Sequence, residues 1–352
     1  MKQPGPTGKR KQDHLDLCLD GQAAAFRGRG NGLADYDFVH DALPELDLEA
    51  IDLSTDFLGH HLRLPLIISS MTGGGNDSAR LNRTLARCAN EIGCAIAVGS
   101  QRAMLEDPDL AHSFRIREHA PDVPVFGNLG AVQLNAGYGI DECLRAVEEI
   151  EADGLFIHLN SLQEALQPEG DTDFSGLVDK LASLTADLPF PVLLKTCGNG
   201  WSTRSVRKLT GLPLAAIEAS GAGGTSWARV ESRRQEDAQH EALFGDFGES
   251  TADSILAVRQ GLPDLPLIAS GGIADGVDVA RALALGADLA GLARPLLQVA
   301  DRGEDELLRR LEGIGRELQI ACFYTGTASV NELDQGVLRP RRGDGNQDPG
   351  RA

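Results

Sequence analysis

No two of the six cysteines in this 352-residue chain form a CxxC pair, and none clusters with histidine. Cys18, Cys88, Cys94, Cys143, Cys197 and Cys322 are scattered along the sequence. That spacing gives no sign of a zinc site and reads as reduced, mostly buried thiols of a cytoplasmic protein. Also missing is any uncharged apolar run approaching the ~18 residues that suggest a membrane span. Met1 to His14 is polar and basic without an apolar segment, so it is not a secretory signal. Positive charge is scarce: 33 Lys and Arg stand against 52 Asp and Glu, for a net charge of -19. Such a balance repels nucleic acid and anionic membrane, so neither is expected as a partner. A phosphorylated ligand stays open, because helix N-termini and a few arginines make a pocket positive within an acidic molecule. No GxGxxG followed by a ribose-binding acid stands in a βαβ context, so no Rossmann nucleotide site is expected.

A hydrophobic fraction of 42% supports a sizeable core, and the length suits one large barrel or two ordinary domains. Apolar runs recur at Leu64–Ser70, Cys94–Gly99, Val125–Leu129, Leu155–Asn160, Val192–Thr196, Ala215–Ala219, Leu267–Ser270 and Leu289–Ala293. Helical stretches are expected between them, at Asp77–Ile92 (capped by Asn76 or Asp77), Ile140–Ala152, Ser175–Leu184, Ser202–Thr210, Thr251–Gln260 and Gly276–Leu285. Eight buried strands alternating with helices predict an α/β fold, a single (β/α)8 TIM barrel. A doubly wound open sheet is the competitor. Polar and glycine-rich residues follow nearly every strand, however, as one active barrel mouth requires, whereas an open sheet gathers them at one switch point. The expected organisation is an N-terminal extension over residues 1–63, a barrel over 64–330, and a disordered tail over 331–352. The polar stretch Arg229–Glu249 is expected to be a long mobile loop, lid or subunit contact.

Gly271 and Gly272 follow the seventh strand, and GLAR follows at the eighth. In barrels this pair of loops is the usual phosphate site, with free N–H groups at the start of the next helix, although a glycine pair after a strand also serves as a simple tight turn. Ser70, Met71 and Thr72, then Ser100 and Gln101, Asn128 and Lys195 stand at successive strand ends, where small polar groups and one cation suit the edge of a flavin ring. Lys195 reads equally as a lysine paired with a structural carboxylate. After the fourth strand, HLNSLQE places His158, Asn160, Gln163 and Glu164 near the mouth. One carboxylate among neutral groups suits a Mg2+ ion that takes its other ligands from a diphosphate and water, and Gln163 could orient a proton. Basic residues concentrate at Lys9–Lys11, followed by His14, and at Arg102. Either group could grip a diphosphate through charge-assisted hydrogen bonds, although the leader reads equally as a solvated basic terminus.

Taken together, RKQDH at Arg10–His14, SSMTGG at Ser69–Gly74, GSQR at Gly99–Arg102, HLNSLQE at His158–Glu164, GAGGTSWARVE at Gly221–Glu231, and ASGGI with ALALGAD within Ala269–Asp288 resemble type II isopentenyl diphosphate isomerases in order and spacing. The resemblance implies a cytoplasmic, homotetrameric or octameric flavoenzyme that interconverts isopentenyl and dimethylallyl diphosphate with reduced FMN, Mg2+ and NADPH as reductant. It implies that Ser70, Met71, Thr72, Ser100, Asn128, Lys195, Ser220, Thr225, Gly272, Ile273, Ala274, Ala293 and Arg294 hold FMN. For the substrate it implies Arg10, Lys11, Ser100, Gln101, Arg102 and Gln163, to which the reading of the basic leader adds His14 and that of the fourth strand end adds His158 and Asn160. Glu164 would hold the metal, and Gln163 and Lys195 would serve catalysis. Ser161, Thr196 and Ala274 depart from the residues frequent in that family. The rival chemistry is that of an FMN-dependent 2-hydroxy acid oxidase, which needs a histidine base after the sixth strand, where this chain reads EASGAGGTSW. A second alternative is a catalytically silent flavin-binding barrel.

Overall fold

Each of the eight apolar runs forms a strand of three to six residues in the computed structural model, and together they close a barrel. The structure describes residues 6–20, 24–28 and 30–341. The barrel strands are β1 (Leu66–Ile68), β2 (Ala95–Ala97), β3 (Val125–Gly130), β4 (Gly154–Leu159), β5 (Val192–Thr196), β6 (Ala216–Glu218), β7 (Leu267–Ser270) and β8 (Leu289–Leu292). Neighbours pair in parallel in chain order, and β8 closes on β1 through Ala290↔Leu66, Gly291↔Ile67 and Leu292↔Ile68. Closure excludes the open sheet.

Because side chains alternate along a strand, every second residue faces the barrel interior. Ile67, Ala95, Phe126, Phe156, Leu193, Ala216, Ile268 and Leu289 form a buried interior cluster. Two residues further along six of these strands stand Ser69, Asn128, His158, Lys195, Glu218 and Ser270. The interior therefore changes from apolar to polar in one step toward the C-terminal ends of the strands. The other end is plugged by a hairpin, Thr55–Phe57 paired with His60–Leu62, whose Phe57 and Leu62 join the interior cluster.

Helices separate the strands at Asn76–Ile92, Ile140–Glu148, Leu177–Asp187, Thr203–Val206, Thr251–Gly261 and Gly276–Ala284. Helix Asn76–Ile92 takes extended Gly75 as its N-cap with no side-chain cap bond, so neither Asn76 nor Asp77 caps it. Asp77 lies instead in the first turn, where a carboxylate favours the dipole.

Two expectations are corrected. Arg229–Glu249 is not a loop: it lies within two helices, Trp227–Arg234 and Ala238–Phe244, and the turn that follows them. Several of its charges pair with one another, with buried Arg229 bridging Glu241 (3.2 Å) and Asp246 (2.7 Å). The tail is ordered as far as Arg341. Gln335–Val337 makes a 3-10 turn, and Leu338–Pro340 pairs antiparallel with Tyr36–Phe38. Val337 and Leu338 supply the apolar contacts that hold it. The rest of the tail, 342–352, lies outside the described residues, as do residues 1–5.

In the N-terminal extension, helix Pro6–Leu19 buries Leu15 and Cys18 and is tied by the Gln298 side chain, which donates to the Cys18 carbonyl at 3.0 Å. Ala24–Phe26 continues across the mouth, with Ala25 bridging Thr225 and the Phe26 N–H reaching the Gly224 carbonyl at 3.2 Å.

Candidate active site

Strand register sets His158 beside Lys195 and Lys195 beside Glu218. Glu218 is 1% exposed, and its Oε1 accepts from the hydroxyls of Ser69 (2.9 Å), Ser270 (2.6 Å) and Ser220 (3.2 Å). Burial works against the charge on Lys195, but the Glu218 carboxylate and the Cys197 thiol more than offset it, leaving the ammonium above its ordinary pKa. Lys195 is thus a cation at any working pH, held at the cavity floor. Burial and then the cations Lys195 and Lys11 push His158 down to about 3, so its imidazole is neutral. Its Nδ1 meets the Asn128 amide oxygen at 2.7 Å, which fixes the ring.

Above this layer lie two cavities that share Ser70, Met71 and Trp227. One, of about 870 Å³, is lined by Lys195, Ser220, Thr225, Gly272, Ile273, Ala274, Ala293 and Arg294. Its glycine turns are in contact: a Cβ on Gly224 would lie 2.6 Å from the Gly272 nitrogen. Buried Nη1 of Arg294 and Oγ of Ser70 have no hydrogen-bond partner among the described residues. A buried guanidinium nitrogen without a partner is costly, and an anion in the cavity that Arg294 lines would satisfy it. The helix after β7 does not supply the anion-facing amides as expected, because the Gly276 N–H donates to Glu317 at 2.7 Å. The turn Gly271–Ala274 is what fronts the cavity.

The other cavity, of about 890 Å³, is lined by Arg10, Lys11, His14, Ser100, Arg102, His158, Asn160, Gln163 and Glu164, with Leu15, Cys18 and Leu297 as apolar wall. Lys11 donates to the Ser100 carbonyl at 3.2 Å. Burial, reinforced by Arg10 and Arg102, pulls its pKa down to about 7. Arg102 is half-buried and bonded to Glu106 and Asp171, both at 2.7 Å. Thr72 and Asn128 line this second cavity, which adjoins the first, and the Thr72 hydroxyl donates to Ser78 at 2.7 Å. Gln101 does not reach either cavity. It is fully buried, donating to the Ala146 carbonyl (2.7 Å) and accepting from the Asn128 N–H (2.9 Å), so it braces the strand end.

Glu231, fully buried, is the hub of this side. Its Oε1 accepts from His14 Nε2 (2.8 Å) and Gln163 Nε2 (3.1 Å), and its Oε2 from Arg234 (2.5 Å). Burial pushes this carboxyl up, yet the His14 and Gln163 hydrogen bonds and the Arg234 charge hold it below the ordinary range. Asn160 donates to Gln163 Oε1 (3.2 Å) and Glu164 Oε1 (2.8 Å), and the Asp171 N–H reaches Glu164 Oε2 at 2.8 Å. Residue-by-residue reading did not single out Glu218, Glu231 or Trp227. The signal for Glu218 was a lone carboxylate inside the apolar strand AIEAS.

A family model described as FMN-dependent dehydrogenase matches residues 172–340. The isopentenyl-diphosphate delta-isomerase of Nostoc sp. is 48% identical over 93% of this chain and 94% of its own length. That of Stutzerimonas stutzeri is 48% identical over 94% and 96%, and that of Oceanobacillus iheyensis 41% over 92% and 94%. This chain belongs to the isopentenyl-diphosphate delta-isomerase family. Among solved structures, a flavocytochrome b2 variant with pyruvate bound superimposes with a TM-score of 0.68 at 18% identity, over 94% of this chain and 82% of that one. A chimeric (S)-mandelate dehydrogenase gives 0.65 at 16% identity, over 95% and 98%. At such identities these neighbours share the barrel with the isomerase family, and the likeness is one of fold alone.

Proposed function

We propose that this isomerase-family chain interconverts isopentenyl diphosphate and dimethylallyl diphosphate, with FMN in the cavity lined by Lys195 and Arg294 and the substrate in the cavity lined by Lys11 and Arg102. The observation that carries this reading is the meeting of two cavities at Ser70, Met71 and Trp227, one with an unsatisfied buried guanidinium nitrogen and the other with a cluster of cations. The partnerless Arg294 Nη1 and Ser70 Oγ, and the glycine turns where a Cβ would collide, fit a phosphorylated flavin. Bound in its reduced form, FMN supplies an electron-rich ring that exchanges protons without net redox change.

The reaction adds a proton at C4 of an unactivated alkene and removes one at C2, so positive charge develops at C3 and the barrier is electrostatic. Arg10, Lys11 and Arg102 bind the diphosphate, while Leu15, Cys18, Leu297 and Trp227 wall off the hydrocarbon from water. Gln163 holds a proton on Nε2: one amide hydrogen goes to Glu231, its oxygen accepts from Asn160, and the second hydrogen remains for the cavity. Lys195, kept charged by Glu218, would favour an anionic flavin. Among the described residues no group of three or more His, Cys, Asp or Glu could hold a metal. Mg2+ would therefore rest on Glu164 and draw its remaining ligands from diphosphate and water. A nicotinamide such as NADPH would serve only to reduce the flavin before turnover. Cytoplasmic location and assembly as a homo-oligomer belong to the same reading.

The segment Glu218–Trp227 contains no histidine, which disfavours the 2-hydroxy acid oxidase chemistry. The deciding experiment is anaerobic incubation of isopentenyl diphosphate with the protein, Mg2+ and NADPH, with and without FMN, followed by product analysis. Dimethylallyl diphosphate should form only with FMN, and flavin-loaded protein without conversion rejects the proposal. Glu164→Gln should raise the Mg2+ concentration needed for half-maximal rate about tenfold or more. An unchanged Mg2+ titration would remove Glu164 from the metal site.

A further inference from the structure

Asn31 lies far in sequence from every motif of the site, yet it stands between the two glycine turns that front the flavin cavity. Its Nδ2 donates to the Gly272 carbonyl at 2.9 Å and to Asp278 Oδ2 at 3.2 Å. Its Oδ1 accepts from the Leu33 N–H at 3.0 Å, and its backbone carbonyl from the Ala252 N–H at 3.0 Å. A Cβ on Gly223 would lie between 2.6 and 2.8 Å from Asn31 N, Cα and Cβ, and one on Gly272 would lie 3.1 Å from Asn31 Cβ. The residue is thus wedged against the turn after β6 and the turn after β7 at once.

Gly271 and Gly272 have φ of +104° and +76°. Glycine has little intrinsic preference between such conformations and their alternatives, so something outside the turn must select them. Pinning the Gly272 oxygen does so. In a planar trans peptide the carbonyl and the following N–H point in opposite directions. A Gly272 carbonyl drawn to Asn31 therefore turns the Ile273 N–H the other way. Asn31 also draws on the Asp278 carboxylate, which is itself hydrogen-bonded to this turn through the Ala274 N–H at 3.4 Å. Held by an amide, that carboxylate opposes a bound phosphate less.

We propose that Asn31 is the positioning residue that sets the phosphate cradle of the flavin site, so that the N-terminal extension is needed to hold FMN as well as substrate. The inference rests on the FMN reading above and adds a residue to it. Its test is a pair of titrations of flavin-free protein with FMN and with riboflavin, which lacks the phosphate, followed by flavin fluorescence. For Asn31→Ala the FMN Kd should rise about tenfold, as for one lost charge-facing hydrogen bond, with the riboflavin Kd changing less than about twofold. The preference for FMN over riboflavin then falls by the same factor. Asn31→Ser, which keeps a hydroxyl for Leu33 but lacks the reach to Gly272, should behave as the alanine variant does and covers the case in which alanine fails to fold. Equal weakening of both flavins, or no change in either, overturns the proposal and leaves Asn31 a staple of the fold. If the wild-type protein binds neither flavin, the FMN reading itself falls and takes this inference with it.

Discussion

Lys11 is the side chain whose charge state matters most at the working pH of the site. Half-buried beside Arg10 and Arg102, it titrates near 7 rather than at its ordinary 10.5. Above pH 7 the free protein therefore holds a neutral amine in the cavity proposed for the diphosphate, where an ammonium would bind it better. The sign follows from linkage: between 10.5 and 7 the unfolded chain carries a proton that the folded chain lacks, so stability declines as pH falls through this window. An arriving diphosphate reverses that preference and pulls a proton onto Lys11. Binding of isopentenyl diphosphate to flavin-free protein at about pH 8.5 should take up about one proton, and its affinity should weaken by up to about tenfold per pH unit above 7. Calorimetry in buffers of different ionisation enthalpy measures the uptake directly. In Lys11→Met the uptake should vanish; if it persists, another group titrates on binding. Glu231 differs in kind, because its partners His14, Gln163 and Arg234 fix it as an anion in the free protein. It is a scaffold charge rather than a titrating one.

At the scale of elements, what the sequence revealed and what it hid separate along one physical line. Strand ends were legible because a continuous apolar run ending in glycine or a small polar residue has few other uses. The helices Trp227–Arg234 and Ala238–Phe244 were not legible, because a run of Glu, Arg and Asp reads as solvated when each charge is taken alone. In the fold Arg229 is 4% exposed and its partners Glu241 and Asp246 come from the next helix and the turn after it. Arg229→Ala should cost about 1 to 3 kcal/mol in denaturant unfolding, since it removes a buried guanidinium that joins two elements, while its partly exposed partners Glu241 and Asp246 stay hydrated. A loss under about 1 kcal/mol would mean that the pair is effectively a surface one. Gln101 failed in the opposite way: its position after a strand suggested the cavity, but no sequence feature tells which way a side chain at a turn points. The hairpin at the far end was likewise invisible as a plug until Phe57 met Phe126 and Phe156 inside the barrel. Phe57→Ala should cost about 3 to 5 kcal/mol of stability through the cavity it opens, with KM for the diphosphate unchanged, because the polar layer lies at the other end. A raised KM would show that the plug and the site are coupled.

The whole molecule carries a net charge of -19, yet its site gathers cations, and the consequence is a flavin-free state that is strained electrostatically. Arg294 Nη1, Ser70 Oγ and Glu218 Oε2 are all buried without a partner among the described residues, and all three residues line the cavity assigned to FMN, together with Lys195. Folding the empty protein must desolvate these groups with nothing in return. Binding FMN should then stabilise the whole fold as mass action requires, by about 2.7 kcal/mol at a flavin concentration of 100 times Kd. Arg294→Met separates this account from a simple structural role for the arginine. Burial already presses its guanidinium below its ordinary pKa, and methionine fills similar space without charge. The flavin-free variant should therefore unfold at a higher temperature than flavin-free wild type, while the FMN-saturated variant should unfold at a lower one, with the FMN Kd raised about tenfold or more. The two melting curves must cross in order between variant and wild type. A variant less stable in both states would place Arg294 in the scaffold of the barrel, and the anion it lacks would have to be sought elsewhere in the molecule.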